Sequence, residues 1–153
     1  MFRANREGVI INISSVGGKM TFPLGTLYHG TKFAVEGLSE ALSFEMAAIG
    51  VKVKIVEPGA VKTDFDTRSL DFSNDESIVQ YQEIAGKLFA GFAPILQKAS
   101  EPIVVAEVIY RAATDDTNQL RYIAGEDAEA LLASRKADDD ATFFQNIRDQ
   151  FAL

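Results

Sequence analysis

Apolar positions fall along the chain in two rhythms. Gly8-Val-Ile-Ile-Asn-Ile13 is an almost unbroken apolar run, the pattern of a strand covered on both faces in a parallel sheet. Asn12, its one polar interruption, is expected to bond neighbouring backbone. Val51-Lys-Val-Lys-Ile-Val56 alternates and predicts a second strand, and Leu120-Arg-Tyr-Ile-Ala124 predicts a short third one. Between the first two, residues 26–49 carry helical spacing, with Ala34, Leu38, Ala41, Leu42 and Ile49 on one face and Phe33, Gly37 and Phe44 on another. One face would cover the sheet. The other suits either a subunit contact, with Gly37 permitting close approach, or another helix of the same chain.

Punctuation residues separate these segments. Gly17, Gly18 and Pro23 mark a loop after the first strand, Thr26 or Gly25 can cap the following helix, and Gly50 ends it. Pro58-Gly59 forces a turn at the end of the second strand. Residues 77–97 are helical in pattern, with Ile78, Tyr81, Ile84, Leu88, Phe92 and Ile95 in a stripe that suits plain core. Ser100-Glu-Pro102 starts a helix with Val104, Val105, Val108, Ile109 and Ala112 inward. Residues 127–135 predict a short helix, and Asp138-Asp-Asp140 opens a terminal one through Phe151, where negative charge complements the helix dipole. Strands alternating with helices make this an α/β chain with a parallel sheet, a single domain over residues 1–153.

Composition narrows the functional classes. A net charge of −7 argues against nucleic acid or an anionic membrane surface as principal partner. The chain has no cysteine and one histidine, which excludes disulfides, thiolate metal sites and cysteine nucleophiles and makes a metal centre improbable. No run reaches the roughly 18 to 20 apolar residues of a membrane span, and the start lacks a signal-type apolar segment, so the expected location is cytoplasmic.

The candidate chemistry lies between Ser15 and Lys32. Tyr28 and Lys32 stand four residues apart on the predicted helix, which places them on one face as neighbours. A phenol is a poor base at neutral pH, but a nearby ammonium favours its phenolate. Ser15, at the end of the first strand, could reach the same point and hydrogen-bond a carbonyl or alkoxide. His29 stands beside Tyr28 but points about 100° away from it, and is expected at a helix surface or contact.

Taken in order, a buried strand ending in Ser14-Ser15, the Gly17-Gly18 loop, Tyr28-His-Gly-Thr-Lys32 on a helix, and a second strand ending in Glu57-Pro58-Gly59 followed by Thr63 closely resemble the short-chain dehydrogenase/reductase family, in its ordinary rather than extended branch. The resemblance runs from the first residues to about Gly125. It implies a Rossmann-type three-layer fold and NAD(P)-dependent oxidoreduction of an alcohol and a carbonyl. Tyr28 would be the general acid/base, Ser15 would polarise the substrate oxygen, and Lys32 would assist Tyr28 while bonding the nicotinamide ribose. Pro58, Gly59 and Thr63 would border the nicotinamide. Residues 64–100 would form a substrate lid suited to an apolar small molecule, and the outer helix face would lie in a homo-oligomer interface.

The same resemblance implies a partial fold. Family members carry a Gly-rich phosphate loop and a residue that selects NAD or NADP, and neither precedes Gly8. The first seven residues correspond to the end of the helix before the family's fifth strand, so the amino-terminal half of the domain is expected to be missing. The alternative to an enzyme is therefore an inactive fragment or interaction module that uses its free sheet edge. An epimerase-like member also carries Tyr-x-x-x-Lys, but Pro58-Gly59 with Thr63 favours the dehydrogenase branch.

Overall fold

The computed structural model describes residues 2–153; Met1 and the side chains of Asp66 and Thr67 lie outside the described residues. Three strands, β1 (Gly8–Ile13), β2 (Val51–Pro58) and β3 (Arg121–Ala124), form a parallel sheet in the order β1-β2-β3. Gly8 pairs in register with Val51, and Ile55 with Arg121. A single turn of helix, α1 (Phe2–Asn5), leads into β1. Parallel neighbours need crossover connections. Helix α2 (Thr26–Ala47) supplies the first, and α3 (Val79–Gln97) with α4 (Pro102–Thr114) the second; α5 (Glu126–Ala137) and α6 (Asp140–Phe151) follow β3.

Successive strand residues point to opposite faces, and β3 shows which helix covers which. Arg121 reaches Glu36 of α2, whereas Tyr122 packs with Ala112 of α4. The sheet is thus the middle of three layers, as the alternation of strands and helices predicts. Under α4 the core comprises Val56, Ala112, Tyr122 and Ala124, flanked by Val105, Val108 and Ile109. A second cluster of Val16, Met20, Ala128 and Phe143 joins the loop after β1 to α5 and α6. Asp139 caps α6 by accepting the Thr142 amide at 2.8 Å.

β2 is the central strand and is covered on both faces. Lys54 is 1 % exposed, and keeps its charge through an ion pair with Asp115, its Nζ lying 5.1 Å from the Tyr122 ring centre. The Tyr122 hydroxyl donates to the other Asp115 oxygen at 2.6 Å. Lys54 and Tyr122 together hold the Asp115 carboxyl well below the usual carboxylate range. Asn12 bonds across to α2 rather than to neighbouring backbone, donating to Ser39 Oγ at 2.8 Å.

A further correction concerns the faces of α2. Leu38, expected inward, is 70 % exposed, while Phe44, expected on the other face, is 75 % exposed. The residues buried against the molecule are His29, Glu36 and Ser39. Gly25, not Thr26, occupies the position before the first helical residue, and its side-chain-free backbone lies against the His29 ring.

Candidate active site

The carboxyl ends of β1 and β2 lie side by side, with the Ser14 amide donating to the Val56 carbonyl at 2.8 Å. From there the chain enters a 3-10 turn over Val16–Gly18. Ser15 precedes that turn in an extended conformation and caps it, its Oγ accepting the Gly17 amide at 3.0 Å. The hydroxyl proton is still available for donation to another acceptor.

Tyr28 and Lys32 occupy the first two turns of α2. The Lys32 ammonium lies 5.9 Å from the centre of the Tyr28 ring, within the range in which cation and ring attract. It also donates to the Ile13 carbonyl at 3.3 Å, which ties the start of α2 to the last residue of β1. Gly17 joins this pair to Ser15. Its amide holds Ser15 Oγ, and a Cβ added to it would stand 2.9 Å from the Tyr28 ring edge. The backbone can run between Ser15 and Tyr28 only because residue 17 is glycine.

Pro58 and Gly59 lie where β2 ends. The Gly59 amide donates to Ala124 at 3.2 Å, and the Ala60 amide donates to Asp127 Oδ2 at 2.7 Å. Thr63 follows; its Oγ1 accepts the Phe65 amide at 3.3 Å. With Val61, Lys62, Asp64, Leu96 and Ala99 it lines a cavity of about 290 Å³. Phe65 reaches back to Tyr28, the ring centres 6.0 Å apart. The structure therefore sets Ser15 and Tyr28 against Gly17 with Lys32 beside Tyr28, and sets Pro58, Gly59 and Thr63 along the exit of the adjacent strand.

Sequence reasoning missed two features of this region. His29, expected at a helix surface or contact, lies at a contact and is 5 % exposed. The Phe22 amide donates to its Nε2 at 2.9 Å, and its Nδ1 lies 2.9 Å from the Gly17 carbonyl. The angular argument considered only Tyr28 and not the loop folded over the helix start. The second is a buried charge group beneath the site. Arg121 Nε donates to Glu36 Oε2 at 3.0 Å and stands 3.5 Å from Glu57 Oε1, while its Nη2 reaches Glu40 at 2.5 Å. Glu57 and Glu36 are 2 % and 4 % exposed. Burial, reinforced by the Glu36 charge, pushes the Glu57 carboxyl up to about 7. A glutamate at the end of an otherwise buried strand was the available signal.

The model of the short chain dehydrogenase family matches residues 1–73, the stretch that contains Ser15, Tyr28, Lys32, Pro58, Gly59 and Thr63. An uncharacterized oxidoreductase of Schizosaccharomyces pombe is 47% identical over 153 residues, which is 100% of this chain and 64% of that protein. The chain is similar to members of the short-chain dehydrogenase/reductase family. Among solved structures, a short-chain dehydrogenase from Streptomyces avermitilis matches with a TM-score of 0.71 at 29% identity, covering 94% of this chain and 51% of that one. ElxO with NADP bound matches with a TM-score of 0.54, also at 29% identity, over 80% of this chain and 47% of its own. The chain thus spans about half the length of those structures. Among its described residues no helix is long and apolar enough to cross a membrane.

Proposed function

We propose that the chain carries the catalytic and nicotinamide-side residues of an NAD(P)-dependent oxidoreductase that interconverts an alcohol and a carbonyl. The observation that carries this reading is the Lys32 ammonium 5.9 Å from the Tyr28 ring centre, beside a turn that presents Ser15. When bound, a nicotinamide supplies or accepts the hydride. The chain's own residues handle the oxygen. In the reducing direction Ser15 donates a hydrogen bond to the carbonyl oxygen, and Tyr28 gives that oxygen a proton as it becomes an alcohol. The Lys32 charge stabilises the phenolate left behind.

The donor set fits the nicotinamide end of such a cofactor. The Lys32 ammonium has three donors and, among the described residues, one acceptor, the Ile13 carbonyl, so it can also hold a ribose hydroxyl. Pro58, Gly59 and Thr63 stand at the carboxyl end of β2, the end at which ligands bind in open parallel sheets. The bound NADP of ElxO supports a nicotinamide cofactor for this chain, without choosing between NAD and NADP. The segment over 64–100 is the lid in this reading. Phe65, Leu70, Phe72 and Phe89, all at least 38 % exposed, suit an apolar small-molecule substrate. The apolar outer face of α2 suits a homo-oligomer, and the chain as a whole forms one domain.

Replacing Tyr28 by Phe keeps the ring and removes the proton. Turnover of NADPH with an aromatic diketone falls by about 10²-fold or more, with the thermal unfolding midpoint unchanged. Near-normal turnover in Tyr28→Phe rules out the assignment. A second reading, an interaction module, draws on β1, whose outer edge has no strand partner among the described residues. Titration of the chain with NADH and NADPH separates the two. A Kd tighter than about 1 mM supports the oxidoreductase, and no binding supports the module.

A further inference from the structure

We propose that His29 is a positioning residue, a clasp that closes the Gly17–Phe22 loop and so fixes Ser15 relative to Tyr28 and to helix α3. The inference rests on the oxidoreductase reading insofar as Ser15 and Tyr28 are its reacting groups; the clasp itself stands on geometry.

The two ring nitrogens of His29 hold opposite ends of one loop. The Phe22 amide donates to Nε2 at 2.9 Å. A backbone amide can only donate, so Nε2 carries no hydrogen. The hydrogen of the neutral ring is then on Nδ1, where it donates to the Gly17 carbonyl at 2.9 Å. A ring protonated on both nitrogens would have no acceptor to offer Phe22. Residues 19–22 lie outside helix and strand, and a covered loop of that kind must find partners for its backbone elsewhere. His29 supplies one at each end.

Each end of the clasp is connected onward. Gly17, whose carbonyl accepts from His29, uses its amide to hold Ser15 Oγ at 3.0 Å. Phe22 places its ring 5.3 Å from Phe92 of α3 and 6.0 Å from Phe151 of α6, and those two rings are 5.2 Å apart. The imidazole also meets the Tyr28 ring edge-on, centres 5.5 Å apart. It has little room to turn away, because a Cβ on Gly17 would stand 3.1 Å from Nδ1 and one on Gly25 would stand 2.6 Å from Cδ2. A histidine that merely fills a core needs neither both nitrogens engaged nor a glycine against each side. One neutral ring thus connects the serine, the tyrosine and the helix across the cavity that Thr63 lines.

The tautomer is read on the unaltered chain by long-range proton–nitrogen NMR correlation, which is expected to show hydrogen on Nδ1 alone; hydrogen on Nε2 overturns the clasp. Three substitutions then separate its ends. His29→Phe keeps a ring without donors or acceptors, His29→Gln keeps an acceptor near Nε2, and His29→Asn keeps a donor near Nδ1. Amide exchange at Phe22 is expected to accelerate by about 10-fold or more in His29→Phe and His29→Asn and to stay near the parent rate in His29→Gln. Parent-like exchange in His29→Phe overturns the proposal. With NADPH and an aromatic diketone, His29→Phe is expected to lower kcat by about 10-fold with KM for NADPH unchanged, and His29→Gln to recover part of it. Loss of the loop bond with kcat intact overturns the positioning role. If the unaltered chain shows no turnover, the oxidoreductase reading fails for this chain, while the tautomer and exchange still decide the clasp.

Discussion

Helix α2 has two faces that depart from amphipathic order in opposite senses. The face buried against the sheet and loop is polar at its most enclosed positions, His29, Glu36 and Ser39. The outer face is apolar, with Leu27, Leu38 and Phe44 at least 70 % exposed. Val35, Leu42 and Met46, at helical spacing from Ser39, are partly buried on the same face. Directional bonds add to that packing: Asn12 to Ser39, Arg121 to Glu36 and Lys32 to Ile13. Such bonds permit less sliding than apolar packing, a useful property beneath a helix whose first turns carry Tyr28 and Lys32. The outer face has the composition of a surface that meets another apolar surface.

The difference between the faces is open to test, and the largest expected effect lies on the inner one. Arg121→Ala leaves Glu36 and Glu57 buried without their cation, and is expected to destabilise the chain by about 3 kcal/mol in urea unfolding at pH 8. A loss below about 1 kcal/mol would mean that these polar contacts do little to seat α2.

A smaller effect of opposite sign belongs to Glu57. Its carboxyl sits at about 7 in the folded chain, against about 4.3 when unfolded. The folded chain thus holds a proton that the unfolded chain gives up, and the associated stability is fully present below about pH 4 and is lost as pH rises through about 7. Glu57→Gln removes the acid and its repulsion with Glu36. The variant is expected to gain about 1 kcal/mol at pH 8, with the gain shrinking toward zero near pH 4. A gain independent of pH would assign the effect to something other than ionisation.

The smallest effect on folding lies on the outer face. Leu38→Glu combined with Phe44→Glu is expected to change stability by less than about 0.5 kcal/mol while weakening self-association in analytical ultracentrifugation. Marked destabilisation of the isolated chain would show that the outer face contributes to its own fold.

The same contrast explains what could be read in advance. The strand Gly8–Ile13, the turn at Pro58-Gly59 and the spacing of Ser15, Tyr28 and Lys32 are local patterns, and each is found where its residues predict. The α4 stripe was legible for the same reason, because its inward residues are apolar. Orientation of α2 was not, since periodicity grouped Leu38 with the inward residues, whereas the positions this helix buries most deeply are polar. The burial of Lys54 was not legible, because its partner Asp115 lies 61 residues away. The partners of His29 were not legible because they belong to a loop folded back over the helix, a relation between segments that no periodicity contains.

Burial of Lys54 has a practical consequence. It is the one lysine enclosed among the described residues, whereas Lys52, Lys62 and Lys87 all retain access to solvent. Brief treatment of the native chain with an amine-acylating reagent should modify the others and spare it. Its labelling, followed by mass spectrometry, then serves as an internal clock for separation of α4 from the central strand, readable in mixtures and at concentrations where optical probes fail.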